Sequence, residues 1–274
     1  MPKFVSHLFT SGQSEQCNLS IQADLNGFYF YISDSITGKC YAFNKYTYTY
    51  TAYDYNALDH EIHNLFQQEP LLTPRYKNCF CMFVSNKSIL IPSSLFHPDH
   101  LRTYLEFVVP FDELDEIHYK SLPAFDAVNV FTIPGPLANI IHMHQARVAF
   151  FNQHIPLIHL LSEQQPYNAI LLHVSHAQAS FAVYVEGQFV LSNTFSIETF
   201  TDAFYYLGYI LKQWKLHPAN TTVYVSGIVS NDDTTLLQRY YPNIQSLYHN
   251  EIAGLSDRSA GMEFQLLPLL SVCE

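Results

Sequence analysis

The stretch Asn168-Ala-Ile-Leu-Leu-His-Val-Ser-His-Ala-Gln-Ala-Ser-Phe-Ala-Val-Tyr-Val-Glu-Gly-Gln-Phe-Val-Leu-Ser-Asn-Thr-Phe195 decides the fold. Residues 169–174 are a nearly continuous apolar run, the pattern of a buried strand. A turn follows at 175–179. Residues 180–185 predict a second strand, Glu186-Gly187-Gln188 a hairpin turn, and 189–195 a third strand. Beyond them Phe200, Ala203, Phe204, Leu207, Ile210, Leu211 and Trp214 recur at helical spacing, which predicts an amphipathic helix over 198–214. Ser196 or Thr199 is placed to cap its start, and Pro218 bars its continuation. Residues 222–226 then return as a strand ending in Gly227.

The N-terminal half has the same order of elements. Residues 19–23 alternate like a strand, Asp24-Leu-Asn-Gly27 is a turn, and 28–32 predict the next strand. A third strand is expected over 41–55, with Tyr46, Tyr48 and Tyr50 on one face and Thr47, Thr49 and Thr51 on the other. A helix striped by Leu58, Ile62, Leu65 and Phe66 and ended by Pro70 comes next, then a strand over 78–84. Setting Leu19 against Ile170 places Ile21 on Leu172, Ala23 on Val174, Phe30 on Phe181 and Ile32 on Val183. A period of about 150 residues is too long for a solenoid and predicts a duplicated domain. Between the copies, 88–92 and 127–133 are further expected strands and 96–105 a short helix. Pro134-Gly-Pro136 opens another helix, lined by Leu137, Ile140, Ile141, His144 and Val148. Residues 234–240 are helical, and 252–274 are too irregular to assign.

Composition narrows the class. The chain has 274 residues, 48% apolar and only 14% charged, which excludes a disordered chain. A net charge of −11 with 13 Lys and Arg offers little to a phosphate backbone, so neither nucleic acid nor an anionic membrane is an expected partner. No apolar run approaches the roughly 20 residues of a membrane helix. The scattered cysteines Cys17, Cys40, Cys79, Cys81 and Cys273, with no secretory leader, predict a reducing cytoplasm.

A β-β-β-α-β-α unit present twice resembles the actin-like ATPase superfamily, which includes sugar kinases and Hsp70-type chaperones. The second copy also resembles the pilus-assembly scaffold members. As a whole the chain is similar to an uncharacterised bacterial domain-of-unknown-function family with an actin-like ATPase fold. The resemblance implies an α/β protein of two lobes, each with a mixed sheet opening on three antiparallel strands (the ribonuclease H-like arrangement). The lobes are expected at 1–157 and 158–274. It also implies ATP held between the lobes by turns after the first strand of each copy, where glycine admits phosphate and an Asp holds Mg²⁺. The positions that match are Asp24 and Gly27 in the first turn, Ser175 in the second and Gly227 at the adenosine loop. The pattern is degenerate. Gly27 sits one place late for Asp-x-Gly, the second Asp falls on His173 and its Gly on Ser175, and a single glycine remains of the Gly-Gly pair.

The 14 histidines include His142-Met-His144, His173-Val-Ser-His176 and His97-Pro-Asp-His100. His142 and His144 diverge by about 200° on a helix and no third ligand is implied, so no metal is expected. Walker, zincin, nucleophile-elbow and dinucleotide motifs are missing from the chain, and no catalytic residue is assigned. The Tyr46, Tyr48 and Tyr50 strand is a candidate partner or self-association surface, because tyrosine offers area and a polar tip. The expected function is a non-catalytic pseudo-ATPase, a scaffold or protein-interaction module without a cofactor. The alternative is a divergent Mg-ATP-dependent ATPase or kinase-like enzyme that binds nucleotide in the cleft between lobes.

Overall fold

A computed structural model describes residues 4–5, 9, 11–49, 54–110, 112–247 and 266–273, and the chain divides into two units. The first contains the described residues up to Gln153 and 267–273. The second contains 154–247 and Leu266.

In the first unit the strands are β1 (Phe4–Val5), β2 (Cys17–Ala23), β3 (Gly27–Asp34) and β4 (Cys40–Thr47), followed by helix α1 (Tyr55–Gln68) and β5 (Asn78–Phe83). Then come β6 (Ser88–Pro92), α2 (Leu101–Glu106), β7 (Asp115–Leu122), β8 (Ala127–Pro134), α3 (Gly135–His144) and β9 (Val148–Asn152). The main sheet runs β1-β4-β3-β2-β5-β9, with β2, β5 and β9 parallel. The chain between β5 and α3 forms a separate antiparallel sheet, β6-β8-β7. It has its own small core of Ile91, Leu105, Val128 and Val130.

The second unit opens with α4 (His154–Ser162), then β10 (Ala169–Ser175), β11 (Gln178–Val185) and β12 (Gln188–Ser196). It continues with α5 (Phe200–Gln213), β13 (Thr222–Gly227), α6 (Asn231–Tyr240) and β14 (Ile244–Ser246). The sheet order β12-β11-β10-β13-β14 is that of β4-β3-β2-β5-β9.

The two sheets also share their register. Leu19 pairs with Ile32 and Cys79, and Ile21 with Phe30 and Cys81. In the second unit Ile170 pairs with Val183 and Val223, and Leu172 with Phe181 and Val225. The equivalences drawn from sequence thus hold strand by strand. One further pair was not legible there: Asn44, opposite Phe30, accepts the Lys45 N–H at 2.9 Å, and Asn193, opposite Phe181, accepts the Thr194 N–H at 2.9 Å. The copies differ in the connection after their fourth strand. The first spends the three-stranded sheet there, the second only residues 228–230.

Local chemistry explains the boundaries. Helix α1 buries Leu58, Ile62, Leu65 and Phe66, the stripe expected for it, and Asp54 caps it by accepting the Ala57 N–H at 2.7 Å. Helix α5 buries Ala203, Leu207, Ile210 and Leu211 against Ile170, Leu172, Phe181, Val183, Val223 and Val225. Asp202 accepts the Thr199 N–H at 2.9 Å, half of a capping box. Helix α6 has the complete box, with the Asp233 N–H on Ser230 Oγ at 3.1 Å and the Ser230 N–H on Asp233 Oδ2 at 3.0 Å. Ser230→Ala should lower stability by about 1 kcal/mol, measured by urea unfolding.

Three expectations are corrected. The strand expected over 41–55 stops at Thr47, because Thr49 turns its backbone N–H and hydroxyl to Glu61 of α1. Tyr50 lies outside the described residues. Helix α3 ends at His144, and Val148, expected on its side, begins β9. Helix α4 was not foreseen. Pro156 stands in its first turn, where no intrahelical N–H partner is lost, and burial on nearly every side leaves no polar stripe to reveal it.

Candidate functional site

In open α/β sheets ligands gather at the carboxyl ends of the parallel strands. In the first unit those ends are Ala23, Phe83 and Asn152, aligned in one row across β2, β5 and β9. At these ends or directly beyond them lie four buried polar residues: Asp24, Ser85, Asn152 and Gln153. Gln153 clasps Ser85, accepting its N–H at 3.1 Å and donating to its carbonyl at 2.7 Å, while the Asn152 amide donates to the same carbonyl at 3.3 Å. Sequence reasoning found Asp24 here and missed the other three. The only available signal was the polar pair that ends the apolar run 148–151.

Asp24 closes its own turn. Its Oδ1 accepts the N–H of Asn26 at 2.6 Å and of Gly27 at 2.8 Å, and its backbone N–H donates to the Gly27 carbonyl at 3.1 Å. A β-carbon at Gly27 would come within 2.5 Å of the Tyr46 carbonyl oxygen. The glycine therefore serves the approach of β4.

In the second unit the register makes Ser175 the counterpart of Asp24, because Ala23 and Val174 occupy equivalent ladder positions. The expected match of the acidic position to His173 is corrected accordingly. Ser175 Oγ donates to the Gln178 carbonyl at 3.4 Å. Gly227 ends β13 opposite Val174 with φ +83°, and a β-carbon there would overlap the Val174 carbonyl oxygen, which already accepts the Ile228 N–H at 2.7 Å. Its conformation and its lack of a side chain are both used by the strand itself.

His173 lies one residue inside this edge. It belongs to a buried polar row that crosses four strands in register: Thr194, Ser180, His173 and Ser226. Ser180 and Thr194 share a hydrogen bond of 2.7 Å, and His173 Nδ1 meets Ser226 Oγ at 2.8 Å. His154 of α4 joins the row, with Nδ1 at 2.6 Å from Ser192 Oγ and Nε2 at 3.4 Å from Thr194 Oγ1. Burial lowers both histidines to about 4, so they are neutral at physiological pH.

Of the tyrosines singled out, Tyr46 stacks on Phe30 at 6.5 Å between ring centroids. Its hydroxyl donates to Glu69 and accepts the Asn44 amide at 2.7 Å, and burial together with Glu69 pushes the phenol well above its usual range. Tyr48 lies beyond β4, with its backbone N–H on the Asn26 carbonyl at 3.0 Å. The two share no strand face. Among the described residues no group of three or more His, Cys, Asp or Glu is placed to hold a metal, and no helix is long and apolar enough to cross a membrane.

The duplicated sheets with three antiparallel leading strands define the actin-like ATPase fold. A protein of that fold and of unknown function from Bacteroides thetaiotaomicron superposes with a TM-score of 0.79 at 21% identity, over 97% of this chain and 100% of that one. A chain of the PilM-PilN type IV pilus biogenesis complex superposes with a TM-score of 0.61 at 13% identity, over 93% and 97%. At these identities the likeness concerns the fold. The chain belongs to the family described as protein of unknown function (DUF3822), whose model matches residues 6–244. No curated protein matches it.

Proposed function

We propose that this protein is a pseudo-ATPase: a cytoplasmic member of the actin-like fold that serves as a scaffold or protein-interaction module and does not turn over nucleotide. The observation that carries this reading is the closed turn after β2. Its Asn26 and Gly27 N–H groups, the donors a phosphate needs, are taken by Asp24, and the equivalent second turn has Ser175 in place of a carboxylate. Gly27 and Gly227 are glycines for backbone packing. Mg-ATP does not fit these turns, and no catalytic step is assigned to them. The PilM-PilN relative carries the name of a protein complex, which agrees with a partner-binding role. Burial of all five cysteine thiols agrees with a reducing compartment.

A second reading, a divergent Mg-ATP-dependent ATPase or kinase-like enzyme, is favoured by the gathering of Asp24, Ser85, Asn152 and Gln153 at one sheet edge. Thermal melting in Mg-ATP, Mg-ADP and Mg-free nucleotide separates the two. A nucleotide at about 100 times its Kd adds roughly 2.7 kcal/mol, a shift of several degrees. The scaffold reading expects no shift up to millimolar nucleotide and no ATP turnover. A Mg-dependent shift that disappears in Asp24→Ala would overturn it.

A further inference from the structure

Helix α5 presents two faces. Ala203, Leu207, Ile210 and Leu211 are buried against the sheet. At about 100° per residue, Thr201, Tyr205, Gly208 and Lys212 fall within about 60° of one another on the side turned away from them. Tyr205, edge-on to Tyr206 at 5.5 Å between ring centroids, is still 66% exposed, and Tyr209 beside this line is 53% exposed. Tyr206 itself stacks on Phe195 at 4.1 Å. A rigid helix thus holds two large rings toward water, the position from which an aromatic side chain anchors a partner.

Gly208 stands in the middle of the same face. A glycine inside a helix is destabilising relative to alanine. Packing within the chain does not call for it, because the nearest neighbour of a β-carbon there would be Tyr241 Oη at 3.6 Å, an ordinary contact. What the glycine provides is a hollow in the helix surface between Tyr205 and Lys212. The charges are divided along the helix as well. Glu198 and Asp202 stand at its start and Lys212 and Lys215 at its end, the latter being two of the three Lys or Arg residues between 154 and 247. That division suits the helix dipole. It also makes the face complementary to itself when turned end for end.

We infer that α5 is a self-association face, packing antiparallel on α5 of a second copy about a twofold axis that passes between residues 206 and 207. The spacings of four, three and four along Thr201, Tyr205, Gly208 and Lys212 read the same in both directions. The axis therefore sets Tyr205 of each copy over Gly208 of the other, a ring into a hollow. It also brings Lys212 of each copy to the Glu198 and Asp202 end of the other. A partner of one sign would match only half of this face, whereas a second copy matches both halves. In a chain of net charge −11 that local pairing opposes the general repulsion between molecules. The inference deepens the scaffold reading and rests on it only for its biological use. Nucleotide binding would overturn that reading and leave this pairing intact.

The test is analytical ultracentrifugation of the full chain across micromolar concentrations, joined to thermal melting of the dilute monomer. The expected result is a concentration-dependent dimer of modest affinity, because one helix pair makes a small interface. Gly208→Ala should weaken it by about tenfold or more, since the added methyl group fills the hollow on both copies. Its monomer should melt no lower than the wild type, because alanine is the better helix former, so the lost dimer is not a lost fold. Lys212→Glu, at an exposed position, should also weaken the dimer by about tenfold or more, because like charges then meet at both ends of the contact. A protein monomeric throughout, or an unchanged dimer in either variant, overturns the inference. So does a Gly208→Ala monomer that melts lower, which would give the glycine to the chain's own packing.

Discussion

Lowering the pH from 7.5 to 4.5 should cost the second unit roughly 5 kcal/mol of stability through His154 and His173 alone. Both are fully buried, and burial lowers each to about 4. In the unfolded chain a histidine titrates near 6.5. Between those values the unfolded state binds protons that the folded state refuses. The contribution is therefore complete above pH 6.5 and is lost as the pH falls toward 4, at about 1.4 kcal/mol per pH unit for each ring. The physical cause is their burial: protonating His173 puts a charge in a buried row beside Ser226 and Ser180, with hydroxyls as its neighbours. Urea unfolding at a series of pH values measures the slope. In His154→Asn/His173→Asn the slope between pH 6.5 and 4.5 should flatten, whatever other groups contribute. Equal slopes in the two proteins would show that the rings titrate normally.

Gly227→Ala should destabilise the protein by roughly 3 kcal/mol or more, lowering the melting temperature by about 10 °C. Two costs combine. At φ +83° an L-residue is strained, and the new β-carbon overlaps the carbonyl oxygen of Val174, a backbone atom held by its own ladder. Gly187→Ala is the control. Gly187 also has positive φ, +78°, but the nearest atom to its β-carbon would be Tyr167 Cδ2 at 3.9 Å, so only the conformational cost of about 1–2 kcal/mol remains. The comparison bears on function as well. A glycine kept for nucleotide would tolerate alanine in the apo protein, whereas Gly227 kept for folding would not. Equal melting temperatures for the two variants would remove the packing role.

How much was legible follows from what each feature depends on. Period-2 and period-3.6 apolar patterns are local, so the stripes of α1 and α5 and the leading strands of both copies could be read from the chain, as could the register match of Leu19 with Ile170. Burial defeated the same method at α4 and β9, where apolar residues on nearly every side leave no period to detect. The candidate site was less legible than the fold. Asp24 and Gly27 stand in a turn whose sequence suits a phosphate loop, and only the hydrogen bonds show the turn closed by its own carboxylate.

The sequence by itself determined a duplicated α/β chain with degenerate phosphate turns, because hydrophobic period and turn chemistry act over a few neighbouring residues. Only the tertiary structure decided that Ser85, Asn152 and Gln153 meet beside Asp24's strand end and that Thr194, Ser180, His173 and Ser226 form one row. It also decided that β1 pairs with β4 in one copy while, among the described residues, β12 is the last strand of the other's sheet. These are contacts between segments far apart in the chain, set by strand order and register, which no local pattern encodes.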